Sequence, residues 1–134
     1  MLSCSPDARG KTILVLDDDE DLREILQHAL HDVCDAECIG ASDVPSLIEL
    51  GGRVNDCSLA ILDVNLGPGQ PSGVVAHAWL VEHGFPGRIV FLTGHAMNHP
   101  LVQAALHTGT AQVLQKPVSL SAIISLVDGR ESDR

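Results

Sequence analysis

Five short apolar runs recur along the chain, and each is followed by residues whose apolar positions fall at helical spacing. Thr12-Ile13-Leu14-Val15-Leu16 is continuous and ends in acids, which suits an interior parallel strand covered on both faces. Ser58 to Leu62, Arg88 to Leu92 and Ala111 to Gln115 read the same way, while the weaker run Ala36 to Ile39 suits an edge strand. Between the first two runs, Leu22, Ile25, Leu26, Ala29, Leu30 and Val33 share one helical face, with Asp19, Glu20 and Asp21 at the expected helix start. Val44 to Leu50 gives a short second helix ended by Gly51-Gly52. Ser72-Gly73 opens a third, with Val74, Val75, Ala78 and Val81 expected inward and Gly84 as its stop. Asn98-His99-Pro100 starts a fourth that carries Leu101, Val102, Ala105 and Leu106 up to Gly109, and Leu120, Ile123, Ile124 and Val127 stripe a fifth.

Strand and helix alternating five times predict an α/β fold: a doubly wound parallel sheet with right-handed crossovers and helices on both faces. The flavodoxin-like (βα)5 strand order 2-1-3-4-5 is expected. At 134 residues and 45% hydrophobic content the chain suits one domain. That domain is expected over 11–127, between polar tails at 1–10 and 128–134.

Charge narrows the partners. A formal net charge of −10 without a Lys/Arg cluster argues against nucleic acid and anionic membranes, which both need a basic face. No signal-peptide core or membrane-length apolar run is present, so a cytoplasmic protein is expected. Cys4, Cys34, Cys38 and Cys57 form no CxxC pair, and reduced, partly buried thiols are the default expectation.

The candidate chemistry lies at the ends of the apolar runs. Asp17-Asp18, Asp63, Thr93 and Lys116-Pro117 each close or follow a predicted strand, so a parallel sheet would bring them together at its carboxyl edge. Three acids crowded there repel one another, and a hard divalent cation with oxygen ligands, Mg2+ above all, relieves the repulsion. An acidic helix N-terminus is the plainer account of Asp17 and Asp18, and a strand-terminal cap that of Asp63, but neither accounts for Lys116.

From about Lys11 to Val127 the chain resembles the receiver domain of two-component response regulators, through ILVLDDDEDLREIL, LAILDVNL, IVFLTGHA and VLQKPVS in the family's order. The resemblance implies that Asp17 and Asp18 hold Mg2+, that Asp63 both binds it and accepts a phosphoryl group, and that the backbone carbonyl of Asn65 completes the protein ligands. It also implies that Lys116 pairs with the phosphoryl oxygens after a cis Lys116-Pro117 peptide, and that Thr93 bonds a phosphoryl oxygen and draws the next loop inward. The implied function is a signalling switch rather than an enzyme. It would take its phosphoryl group from a phosphohistidine on a histidine kinase or phosphotransfer protein and act on a downstream protein effector, with room for a homodimer. The rival readings are an interaction module not regulated by phosphorylation, and a magnesium phosphatase, which would want an acid where Asn65 stands.

Two features depart from the family pattern. Where many receivers carry an aromatic three residues before the lysine, this chain has Val113, and it contains no Tyr, so output is expected through the loop from Gly94 to His99. Gly67 to Gly73 looks extended, with two prolines that stiffen it and glycines that loosen it. Among the histidines, His28, His31, His77, His83 and His107 are expected at solvated or rim positions on helices. By resemblance His95 belongs on the solvent side of the phosphoryl group, as a group acting on the attacking water or as a plain loop residue.

Overall fold

Parallel pairing in the order β2-β1-β3-β4-β5 organises the molecule. The strands are β1 (Thr12–Leu16), β2 (Glu37–Ala41), β3 (Leu59–Asp63), β4 (Arg88–Thr93) and β5 (Gln112–Gln115). The helices are α1 (Glu20–Cys34), α2 (Val44–Glu49), α3 (Gly73–Glu82), α4 (Pro100–Leu106) and α5 (Leu120–Asp128). The computed structural model describes residues 10–96, 98–108 and 112–128, so 1–9 and 129–134 of the expected tails, Met97 and the start predicted for the fifth strand fall outside the described residues, while Asp128, expected in the tail, ends α5. The expected strand order and five alternations are those observed, with β2 at one edge.

Alternation along the strands splits the core into two layers. Ile13, Val15, Ile61, Val90 and Leu92 face α1 and α5, where Leu26, Leu30, Ile123 and Ile124 meet them. Leu14, Leu16, Ala60, Leu62 and Phe91 face Leu47 of α2, Ala76 and Leu80 of α3, and Ala105 of α4. This two-sided burial is why the strands read as unbroken apolar runs.

Two helix faces differ from expectation. In α3 the buried residues are Gly73, Ala76, His77 and Leu80, whereas Val75 and Val81, expected inward, are 48% and 57% exposed. That helix is apolar all round, so periodicity carries no information about which face packs. In α1, Ile25, expected on the apolar face, is 58% exposed. His77 is buried against Phe91, not at a rim, and a 3₁₀ helix at Gly51–Asp56 replaces the expected stop after α2. Cys38 and Cys57 are free thiols, as expected, but Cys34 is disulfide-bonded.

Local chemistry sets the helix starts near the sheet's carboxyl edge. Asp19 caps α1 by accepting from the N–H groups of Asp21 and Leu22, Ser72 caps α3 through Val74 N–H, and His99 caps α4 through Leu101 N–H. At Gly73 an added Cβ would collide with the carbonyl oxygen of Asp63, so only glycine lets α3 begin this close to β3.

Candidate functional site

β1, β3, β4 and β5 each deliver one group to the carboxyl edge of the sheet. Asp17 follows β1, Asp63 and Thr93 end β3 and β4, and Lys116 follows β5. The register pairs Leu62 with Phe91 and Asp63 with Leu92, and Lys116 N–H donates to the Thr93 carbonyl at 2.7 Å. The edge is therefore a hydrogen-bonded platform rather than a set of loose loops. Asp17, Asp63 and Thr93 are all buried, while Asp18 is exposed.

Lys116 bridges two of the acids. Its Nζ donates to Asp17 Oδ2 at 3.0 Å and to Asp63 Oδ2 at 3.1 Å. The remaining oxygens are also engaged: Asp17 Oδ1 accepts from Asp19 N–H at 2.9 Å, and Asp63 Oδ1 accepts from Asn65 N–H at 3.2 Å. Arg23 reaches the backbone carbonyl of Asp17 from α1 at 2.9 Å. The Lys116-Pro117 peptide is cis.

Burial sets the electrostatics. Removal from water, reinforced by the charge of Asp17, pushes the Asp63 carboxyl up to about 6 against the opposing pull of Lys116 and the Asn65 N–H. Burial also pulls the Lys116 ammonium down, but its hydrogen bond to Asp17 and the charges of both acids outweigh that and hold it above its ordinary value. One cation thus bridges two acids with a third, Asp18, beside them, and the cluster carries excess negative charge.

Asp17, Asp18 and Asp63 each offer a carboxylate oxygen, and these lie within 4.8 Å of one another. Three oxygens at that spacing beside a buried, charge-strained carboxylate fit a small divalent cation, which prefers hard oxygen donors and keeps some of its waters. The residues present therefore suit the ion. The structure brings together every residue named from the sequence: Asp17, Asp18, Asp63, Asn65, Thr93 and Lys116.

The family profile of the response regulator receiver domain matches residues 13–128. The chain belongs to that family. Receiver domains act as signalling switches of two-component systems, not as conventional enzymes. The receiver is similar to a response regulator protein from Burkholderia pseudomallei with a phosphorylated aspartic acid, calcium ion and citrate, at 25% identity and a TM-score of 0.75 over 92% of this chain and 69% of that one. It is also similar in fold to a CheY-like receiver domain protein from Methanospirillum hungatei, at 20% identity and a TM-score of 0.72, covering 93% of this chain and 99% of that one. A two-component response regulator from Clostridium difficile gives 20% identity and a TM-score of 0.75 over 91% of this chain and 96% of that one. Curated proteins give no match. No described helix is long and apolar enough to cross a membrane.

Three contributors to the receiver site were not singled out for it in the sequence. Gly73 is one, because its need for space is visible only when α3 meets β3. Arg23 is another, looking like an ordinary helix-surface cation until its guanidinium is seen on the Asp17 carbonyl. The third is the side chain of Asn65, whose Nδ2 lies 3.0 Å from His95 Nε2 while its Oδ1 accepts from Gly67 N–H at 3.0 Å. Its position two residues past Asp63 was the available signal.

Proposed function

We propose that residues 11–127 form a phosphorylatable switch in which Asp63 accepts a phosphoryl group from a phosphohistidine on a partner protein. The observation that carries this reading is the placement of Lys116 Nζ 3.0 and 3.1 Å from the buried Asp17 and Asp63, groups that come from three separate strand ends. Structural packing alone gives no reason to bury two acids around one lysine. Phosphoryl transfer does, because attack on phosphorus needs an oriented carboxylate and a cation beside the oxygens where charge collects.

In the proposed reaction an Asp63 oxygen bonds to phosphorus as the phosphorus–nitrogen bond of the donor breaks, its electron pair staying on the imidazole. Bound among Asp17, Asp18, Asp63 and the backbone carbonyl of Asn65, Mg2+ would supply charge neutralisation for the phosphoryl oxygens. Lys116 pairs with one of those oxygens, and Thr93 donates its hydroxyl to another. The phosphorylated aspartic acid and calcium ion of the similar Burkholderia pseudomallei protein support the reading. Kinases or phosphotransfer proteins as donors, a downstream protein as effector and a cytoplasmic setting follow from the same reading.

Incubation with acetyl phosphate and magnesium, followed by intact-mass measurement, tests it. The expected result is a gain of one phosphoryl group that Asp63→Asn abolishes. A full gain in that variant would move the acceptor elsewhere.

A further inference from the structure

His95 is where the proposed phosphoryl site meets α4. Its backbone N–H donates to Thr93 Oγ1 at 3.0 Å, and its carbonyl accepts from Gln115 Nε2 at 3.2 Å. Because Asn65 Oδ1 is committed to Gly67 N–H, the Asn65 amide turns its NH2 toward the imidazole, and His95 Nε2 accepts at 3.0 Å. The His95 ring then stacks on His99, with centroids 4.0 Å apart and planes 12° from parallel. His99 Nδ1 in turn accepts from Leu101 N–H at 3.1 Å and caps α4. A continuous run of contacts thus leads from Asn65, two residues past Asp63, to the first turn of α4.

We propose that this pair of stacked histidines is the output relay of the switch: His95 follows Thr93 and Asn65, and His99 passes the displacement to α4. The proposal rests on Asp63 being the phosphoryl acceptor. A threonine hydroxyl has one proton to donate and two lone pairs. Thr93 can therefore bond a phosphoryl oxygen while still accepting from His95 N–H, so the His95 backbone travels with it. The ring must then turn, because its backbone moves with Thr93 while its Nε2 stays tied to Asn65 on the neighbouring loop, and the stack on His99 changes with it.

The output end is sensitive for a separate reason. α4 spans only Pro100–Leu106, and its first residue has no N–H, so Leu101 offers the first donor that needs a cap. A helix this short depends strongly on its ends. Moving His99 changes the satisfaction of that donor, and the first turn follows. On the other flank Val113 is β-branched and has few rotamers to offer a competing route.

The test compares amide chemical shifts of magnesium-loaded protein with and without beryllofluoride, which stands in for the phosphoryl group on Asp63. In the wild type, displacements are expected at Asp63, Lys116, Thr93 and His95 and also at Leu101 to Ala105. His99→Asn keeps a capping acceptor but removes the ring, and His99→Phe keeps a ring but removes the acceptor. In both, the shifts at Asp63 and Lys116 should stay at wild-type size while those at Leu101 to Ala105 fall below half. Full-size α4 shifts in both variants would overturn the relay. A wild type that responds at Asp63 and Lys116 but not at α4 would overturn the relay alone, whereas no response at Asp63 or Lys116 would overturn the acceptor reading with it.

Discussion

Replacing Asp63 by Asn in the metal-free protein is expected to raise stability at neutral pH and to leave it nearly unchanged near pH 4. The carboxyl is 5% exposed and lies beside Asp17, and its pKa is pushed up to about 6 from 3.8. At roughly 1.4 kcal/mol per unit, the ionised folded form carries a penalty of about 3 kcal/mol. The sign follows from proton binding. Between 3.8 and about 6 the folded state keeps this proton longer than the unfolded chain does, so stability from this group falls as pH rises through that window and is fully lost above it. That penalty is already net of the opposing pull of Lys116, so Asn, which stands in for the neutral carboxyl, removes it without a further cost at the lysine. The gain should be about 2–3 kcal/mol at pH 7.5, or roughly 6–9 °C in melting temperature. Thermal unfolding followed by far-UV circular dichroism in chelator, at both pH values and as variant minus wild type, cancels the other titrating groups. Magnesium should shrink or reverse the difference, since an ion that binds the folded wild type stabilises it by about 2.7 kcal/mol at one hundred times its dissociation constant. A variant that is less stable at pH 7.5, or shifted equally at both pH values, would refute the reasoning.

Gly73→Ala should cost about 1–3 kcal/mol in urea unfolding and lower phosphoryl uptake severalfold, because the new Cβ would meet the Asp63 backbone, which has no flexible end to give. Unchanged uptake would mean that the start of α3 does not position Asp63. Burial holds the His77 imidazole below its ordinary 6.5, so the unfolded chain binds the proton first as pH falls, and stability is lost from 6.5 downward through the lowered folded value. His77→Gln should flatten that part of the stability curve, measured between pH 7.5 and 5.5 by thermal unfolding. Asp18→Ala should weaken magnesium binding severalfold in isothermal titration, and unchanged affinity would return Asp18 to the role of an ordinary helix-start acid.

The sheet and the site were legible in the sequence for one physical reason. In a parallel sheet buried on both faces, strands appear as unbroken apolar runs, and the functional groups must sit directly after them. The run from Thr12 to Leu16 is followed at once by Asp17 and Asp18, so the strand and its share of the site are read together. The helix faces were less legible. α3 carries apolar residues all round, so Val75, Ala78 and Val81 were expected inward, and only the tertiary packing chose Ala76, His77 and Leu80 instead. The roles of His95 and His99 were hidden differently: a ring stack between residues four apart in an irregular segment has no periodic signature. The cap by His99 uses a residue type that sequence rules rarely assign to that position.

Energetics favours a signal that leaves through the loop after β4 rather than through β5. Val113 of β5 pairs in register with Phe91 of β4, whose ring is fully buried and tilted against His77 at 5.6 Å. Moving Phe91 out would open a cavity at a cost of several kcal/mol, about what truncating a buried Phe costs. Val113 has no second position to trade for it. The contacts of His95 and His99 are exposed or only part-buried, so water can take up much of each broken hydrogen bond and the net cost is on the order of 1 kcal/mol apiece. α5 is held from the far side, with Lys11 Nζ and Arg88 each donating at 3.3 Å to the carbonyls of Val127 and Leu126. A phosphoryl group that gains a few charge-assisted hydrogen bonds can therefore move α4 but not rearrange Phe91, which makes the surface of α4 the face on which an effector would read the switch.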